Sequence, residues 1–176
     1  MAGTARLFFA YWPDPLTRAS VAERLAGLAG LPGRPVPAEN FHVTLAFLGL
    51  QPEARLPALL EAGQSVAATA EACVLQLDAL DHWRGPRLWA AVCGGVPEPA
   101  RRLHLALWLA LEPLGLLPDA RPWRPHLTLI RPARPATPPV WAPLAWPANR
   151  LVLAESRARP GGGGPVYQPL GEWVVP

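Results

Sequence analysis

Two of the four histidines in this chain stand in the same frame, His42-Val43-Thr44-Leu45 and His126-Leu127-Thr128-Leu129. With 4 His and 6 Thr in 176 residues, about 0.14 His-x-Thr pairs are expected by chance. Two such pairs, each followed by Leu, are therefore a signal. In a strand, side chains i and i+2 leave from one face. Each frame then offers an imidazole and a hydroxyl together, and Val43, Leu45, Leu127 and Leu129 point into a core. Two imidazoles facing each other across a cleft suit an in-line displacement at phosphorus. One, neutral, takes a proton from the attacking water, and the other, protonated, gives one to the leaving oxygen. An ordinary imidazole pKa near ~6.5 lets both roles be filled around neutrality. The Thr44 and Thr128 hydroxyls can donate to non-bridging phosphate oxygens and hold the phosphorus between the rings.

Such a site needs two strands brought together, and the chain supplies them in a repeated order. Leu7 to Trp12 reads as a buried strand stopped by Pro13; Asp14 is a good N-cap with Pro15 at the first helical position. Leu16, Val21, Leu25 and Leu28 give a helical apolar stripe, and Gly30 to Pro37 reads as a loop. The first motif strand follows over Phe41–Leu48, then an Ala- and Leu-rich helix from Pro52 to about Ala70, and a strand over Cys73–Leu80. The second half repeats the order: a strand over Arg87–Val92, a helix carrying Leu103, Leu107, Leu111 and Leu114, a loop over Gly115–Pro125, and the motif strand His126–Ile130. The proline-rich stretch from Arg131 to Pro147 reads as an extended surface segment. Leu151–Leu153 reads as a short strand, Gly161 to Gly164 as a flexible loop, and Val166–Val175 as one or two closing strands.

Composition bounds the rest. A chain 51% hydrophobic buries a real core and is not a disordered one. All 16 basic residues are Arg, against 13 acidic ones, and the resulting +3 charge favours polyanionic partners without arguing for extended duplex binding. Cys73 and Cys93 form no ligand-like or redox spacing and read as two free thiols of a reducing compartment. The six-residue apolar run at the N-terminus is too short for a secretory signal, and no stretch approaches the ~18 apolar residues of a membrane span. The expectation is a cytoplasmic, soluble monomer. Neither motif has a second ligand close by, so no metal site is expected. Without any Lys, the glycine run cannot complete a Gly-Lys-Ser/Thr phosphate loop.

The two motifs, their flanks and their order resemble the 2H phosphoesterase superfamily, in particular its bacterial and archaeal RNA 2′,3′-cyclic phosphodiesterase branch, also called 2′-5′ RNA ligases. The resemblance is carried by Arg6-Leu7-Phe8-Phe9-Ala10, by Glu39 to Gly49, by Arg124 to Arg131, and by Leu153-Ala154-Glu155-Ser156, Tyr167 and Leu170. It implies an α+β fold forming one bilobal domain over residues 1–176: two antiparallel sheets lining a central cleft, helices outside, and an internal pseudo-two-fold repeat. It also implies hydrolysis of a terminal 2′,3′-cyclic phosphate to the 2′-phosphomonoester, with no metal or cofactor. RNA ends or nucleotides bearing the cyclic phosphate would be the partners, and reversible 2′-5′ joining of RNA ends would be a further reaction. Carried over by position, His42 is the proton donor, His126 the proton acceptor, and Thr44, Thr128 and Arg131 bind the phosphate. Ile130 stands where a small residue is commoner in the family, a departure expected to touch packing more than chemistry.

Two other readings use the same residues: a phosphodiesterase of small cyclic or 2′-5′-linked nucleotides, and an RNA-end binder without turnover. A pure binder has no need of two proton-transfer groups. His82 and His104 lack the frame and read as structural. Arg121, Arg124 and Arg134 read as a solvated basic rim drawing RNA phosphates, and Tyr11, Trp12 and Phe47 as the first aromatics to consider for base stacking.

Overall fold

The structure, a computed structural model, describes residues 3–162 and 164–176. In chain order its elements are β1 (Thr4–Tyr11), α1 (Pro15–Ala26), β2 (Gly33–Pro35), β3 (Val43–Pro52), α2 (Leu56–Ala67), β4 (Cys73–Trp83), β5 (Leu88–Cys93), α3 (Glu98–Leu111), β6 (His126–Ala133), β7 (Leu144–Ala148), β8 (Arg150–Ala158) and β9 (Pro165–Val174). The strands run β7-β4-β5-β6-β3-β1-β8-β9, with β2 alongside β6. This order is a palindrome about the β6–β3 contact. β1 and β3 on one side answer to β5 and β6 on the other, the two copies that element order in the sequence predicts.

The two expected sheets are thus joined into one nine-stranded sheet. The joint is slender. β3 and β6 share the single partner pair Val43↔Leu127, after which they diverge. Past the divergence the free edge of β6 takes up β2, with Pro35 against Ile130 and Gly33 against Ala133. Gly33 has φ +149°, and a Cβ there would lie 2.5 Å from Ile130 and from the Pro132 carbonyl. Only glycine fits that approach.

The strands bury one face in a common core around Leu7, Phe9, Tyr11, Val43, Leu45, Leu127 and Leu129. Helices α2 and α3 pack on each other, α2 also on β8 and β9, and α3 on β3, while α1 packs on β7. Asp14 caps α1, its carboxylate accepting from the Thr17 amide at 2.7 Å. Two expectations change. Leu16 is 81% exposed, because the buried stripe of α1 runs through Thr17, Val21 and Leu25 instead. The proline-rich stretch contains β7, paired with β4 over Cys73–Leu77. Leu144, Trp146 and Ala148 alternate into the core there, and Pro147 is tolerated on an edge strand. Of the glycine run, Gly161, Gly162 and Gly164 have φ between +83° and +97°, and Gly163 lies outside the described residues.

Candidate active site

The lone Val43↔Leu127 pair fixes the site. Extending its antiparallel register by one residue each way sets His42 against Thr128 and Thr44 against His126. Because Val43 and Leu127 point into the core, these four side chains share the opposite face. The histidines are then diagonal neighbours, which in an antiparallel pair stand ~7–8 Å apart. That spacing leaves room for one phosphate group between two imidazoles. The threonines occupy the other diagonal, each half-buried like the histidines.

Each ring is held in one tautomer by the same local device. His42 Nδ1 donates to the Asn40 carbonyl at 2.6 Å, and His126 Nδ1 donates to the Arg124 carbonyl at 2.8 Å. A carbonyl only accepts, so the proton of each neutral ring sits on Nδ1 and the Nε2 lone pair is left free. The residue between carbonyl and ring, Phe41 or Pro125, is buried and anchors each turn.

The surroundings differ between the halves. His42 is boxed by rings: Phe8 at 4.9 Å, Tyr167 edge-on at 4.9 Å, and Trp12 stacked at 5.8 Å. Asn40 ties this box together, its buried side chain donating to the Pro165 carbonyl and accepting from the Tyr167 amide. His126 has one aromatic neighbour, Trp83, at 4.2 Å. The Arg124 guanidinium lies over that indole and pairs with Asp81. Burial pushes the His42 pKa down to about 4; its hydrogen bond to Asn40 opposes this, and the charge of a protonated His126 lowers it further. His126 is also lowered, mainly by burial and then by Arg124, against the pull of its carbonyl. Both shifts favour the neutral imidazole, whose Nε2 lone pair can accept a proton.

Burial raises the phenol pKa of Tyr167, and Arg131, exposed beyond Thr128 on β6, lies close enough for its charge to oppose that rise. The other expected residues sort themselves. His104 on α3 bonds through Nδ1 to the Leu45 carbonyl and stacks on Trp123 at 4.5 Å, while the Trp123 indole donates to the Thr44 carbonyl. This is a brace for the first motif where β3 leaves β6. His82 packs on Trp89, away from the motifs. Tyr11 is fully buried on the core face, and Trp12 stacks on His42, so neither offers a ring to a base. Phe47 is 55% exposed, with the Arg6 guanidinium 6.0 Å from its ring. Arg121 and Arg124 are taken up by Asp119 and Asp81. Among the described residues no three His, Cys, Asp or Glu side chains form a group that could hold a metal ion.

Sequence reasoning passed over Asn40, Phe8 and Trp83. Asn40 and Arg124 share the position two before each histidine, and that was the available signal. Trp83 lies 43 residues before its histidine and carries no local signature.

Known proteins resemble this chain in sequence and fold. An RNA 2′,3′-cyclic phosphodiesterase of Thermus thermophilus is 33% identical, with 94% of this chain and 87% of that protein covered. One of Escherichia coli is also 33% identical, with 99% of each covered. The crystal structure of E. coli LigT complexed with 3′-AMP superposes with a TM-score of 0.81 at 29% identity, over 98% of this chain and 99% of that one. The family model described as the 2′-5′ RNA ligase superfamily matches residues 12–158, and this chain belongs to that family.

Proposed function

We propose that the chain opens terminal 2′,3′-cyclic phosphates of RNA to 2′-phosphomonoesters by proton transfer between His42 and His126, without a metal or cofactor. The observation that carries this is the quartet around Val43 and Leu127: two imidazoles on one diagonal, two hydroxyls on the other, all on one face. The matched relatives bear the name RNA 2′,3′-cyclic phosphodiesterase, which supports the same reading. His126 takes the proton of the attacking water on its free Nε2. As the P–O3′ bond breaks, His42, protonated on Nε2, gives its proton to the 3′ oxygen. Thr44 and Thr128 donate to the non-bridging oxygens, and Arg131 holds the phosphate from the far side of Thr128. The phosphate's own negative charge supplies what burial removes. Lying between the rings, it favours the imidazolium on His42 that burial disfavours. With the 5′-hydroxyl of another strand in place of water, the same transfers open the cyclic phosphate to a 2′-5′ linkage, and their reversal cleaves that linkage back to the cyclic phosphate and a 5′-hydroxyl. We place the protein in the cytoplasm, acting as a monomer.

The test is product analysis. With EDTA present, a cyclic-phosphate-ended oligonucleotide should yield the 2′-phosphomonoester; loss of activity in EDTA or release of the 3′ isomer refutes the mechanism. His42→Ala and His126→Ala should each lower kcat by ~10²–10⁴. A substrate with sulfur at the 3′ bridging position leaves without protonation, so it should rescue His42→Ala and not His126→Ala. The opposite pattern reverses the roles.

A further inference from the structure

The far end of β6 holds a second feature. Pro32, Gly33, Arg34, Arg87, Pro132 and Arg134 line a surface hollow of about 370 Å³. Its floor is backbone. β2 lies against β6 through Gly33, the Arg134 amide donates to the Pro32 carbonyl, and the Ala133 amide donates to the Arg87 carbonyl. Three of the lining residues are arginines, Arg34, Arg87 and Arg134, all exposed. Among the described residues none of the three is in an ion pair, whereas Arg101, Arg102, Arg121, Arg124, Arg150, Arg157 and Arg159 each have a carboxylate partner. No Asp or Glu occurs in the segments 31–37, 82–88 or 129–137 that build the hollow. A cluster of unneutralised guanidiniums on a rigid floor repels itself in the free protein, and an anion relieves that repulsion.

Its position says which anion. Thr128 and Arg131 follow one another along β6 and Arg134 comes directly after its end, so the hollow lies at most ~20 Å from the reacting phosphate. A 2′,3′-cyclic phosphate exists only at a 3′ terminus, so the rest of an RNA strand leaves the reacting nucleotide on its 5′ side. We infer, on the reading of the site proposed above, that the Arg34–Arg87–Arg134 hollow binds backbone phosphates of nucleotides 5′ of the reacting end, with Arg131 bridging the two sites. The hollow thereby makes the enzyme prefer a strand to a cyclic mononucleotide. The sequence expectation of a general basic rim narrows accordingly: Arg121 and Arg124 are neutralised, and Arg134 acts with two arginines from elsewhere in the chain.

The experiment compares wild type, Arg34→Gln/Arg134→Gln and the outer-helix control Arg101→Gln/Arg102→Gln, which changes net charge equally. Binding of a 5′-labelled ten-nucleotide RNA ending in a 3′-hydroxyl is followed by fluorescence anisotropy across about 50–200 mM salt. Kinetics are run on a cyclic-phosphate-ended decamer and on a 2′,3′-cyclic mononucleotide. In the hollow variant the decamer's Kd and KM should rise on the order of tenfold, and the slope of log Kd against log salt should fall by ~0.7 for each phosphate no longer neutralised. The KM of the mononucleotide should move less than about twofold, because each arginine touches only phosphates it lacks. An equal loss in the control variant, an equal loss on both substrates, or no loss on the decamer overturns the inference. Wild type that binds the decamer through the hollow yet hydrolyses neither substrate would refute the proposed function alone.

Discussion

Lowering the pH tests how deeply His42 is enclosed. The unfolded chain presents an imidazole of pKa near ~6.5, and the folded site holds it down to about 4. The unfolded state binds the proton more tightly, so this contribution to stability is fully present above pH ~6.5 and is lost as pH falls through the folded value. Two and a half pKa units correspond to roughly 3 kcal/mol when the loss is complete. Linkage puts it at about 0.8 kcal/mol at pH 6, about 2 at pH 5 and about 3 at pH 4. Carboxylates titrate in the same range, so the assay is a difference. Urea unfolding of wild type and His42→Gln is measured at pH 7.5, 6 and 5, and the variant should lose about 2 kcal/mol less between the first and last. His126 shifts in the same direction but is present in both proteins. Equal losses in the two proteins would refute the aromatic box as the cause of the shift. Saturating inorganic phosphate should flatten the wild-type dependence, because an anion between the rings stabilises the imidazolium.

Two further outcomes follow from the packing. Trp146 is fully buried on β7, so Trp146→Ala should cost about 3–5 kcal/mol in denaturant unfolding; under 1 kcal/mol would return that stretch to the surface. Thr44→Val and Thr128→Val should each lower kcat by ~10²–10³ with Thr→Ser restoring most of it, and an unchanged kcat would remove the hydroxyl from the phosphate.

The candidate site was legible in the sequence because its information is local. A period of two within each four-residue frame places imidazole, hydroxyl and core residues without any knowledge of the partner strand. Element order then revealed that the halves repeat, and the palindromic sheet bears this out. What stayed hidden is long-range. The single pair joining β3 to β6 is a register between residues 84 apart, and Trp83 reaches His126 across the β4–β5 hairpin. β7 escaped because its prolines mask a strand, although Leu144, Trp146 and Ala148 show the period of two on close inspection. Leu16 misled in the opposite way, an apolar residue at helical spacing that faces solvent since Thr17 takes the buried position. The arginines showed the same limit. Clustering in sequence suggested a rim, but neutralisation depends on carboxylates such as Asp81, 43 residues from Arg124.

Symmetry in the backbone and asymmetry in the surroundings together account for how one repeated motif can do two jobs. The register around Val43 and Leu127 gives the histidines equivalent positions, and their Nδ1 bonds give them the same tautomer. Left there, neither would be preferred as acid or base. Three rings enclose His42 against one beside His126, and that difference lowers His42 to about 4. An imidazolium of low pKa parts with its proton more readily, which suits protonation of a departing 3′ oxygen. Its cost is a small protonated fraction in the free protein, offset when an anion lies between the rings. On the roles proposed above, the acid is charged by the arrival of its substrate.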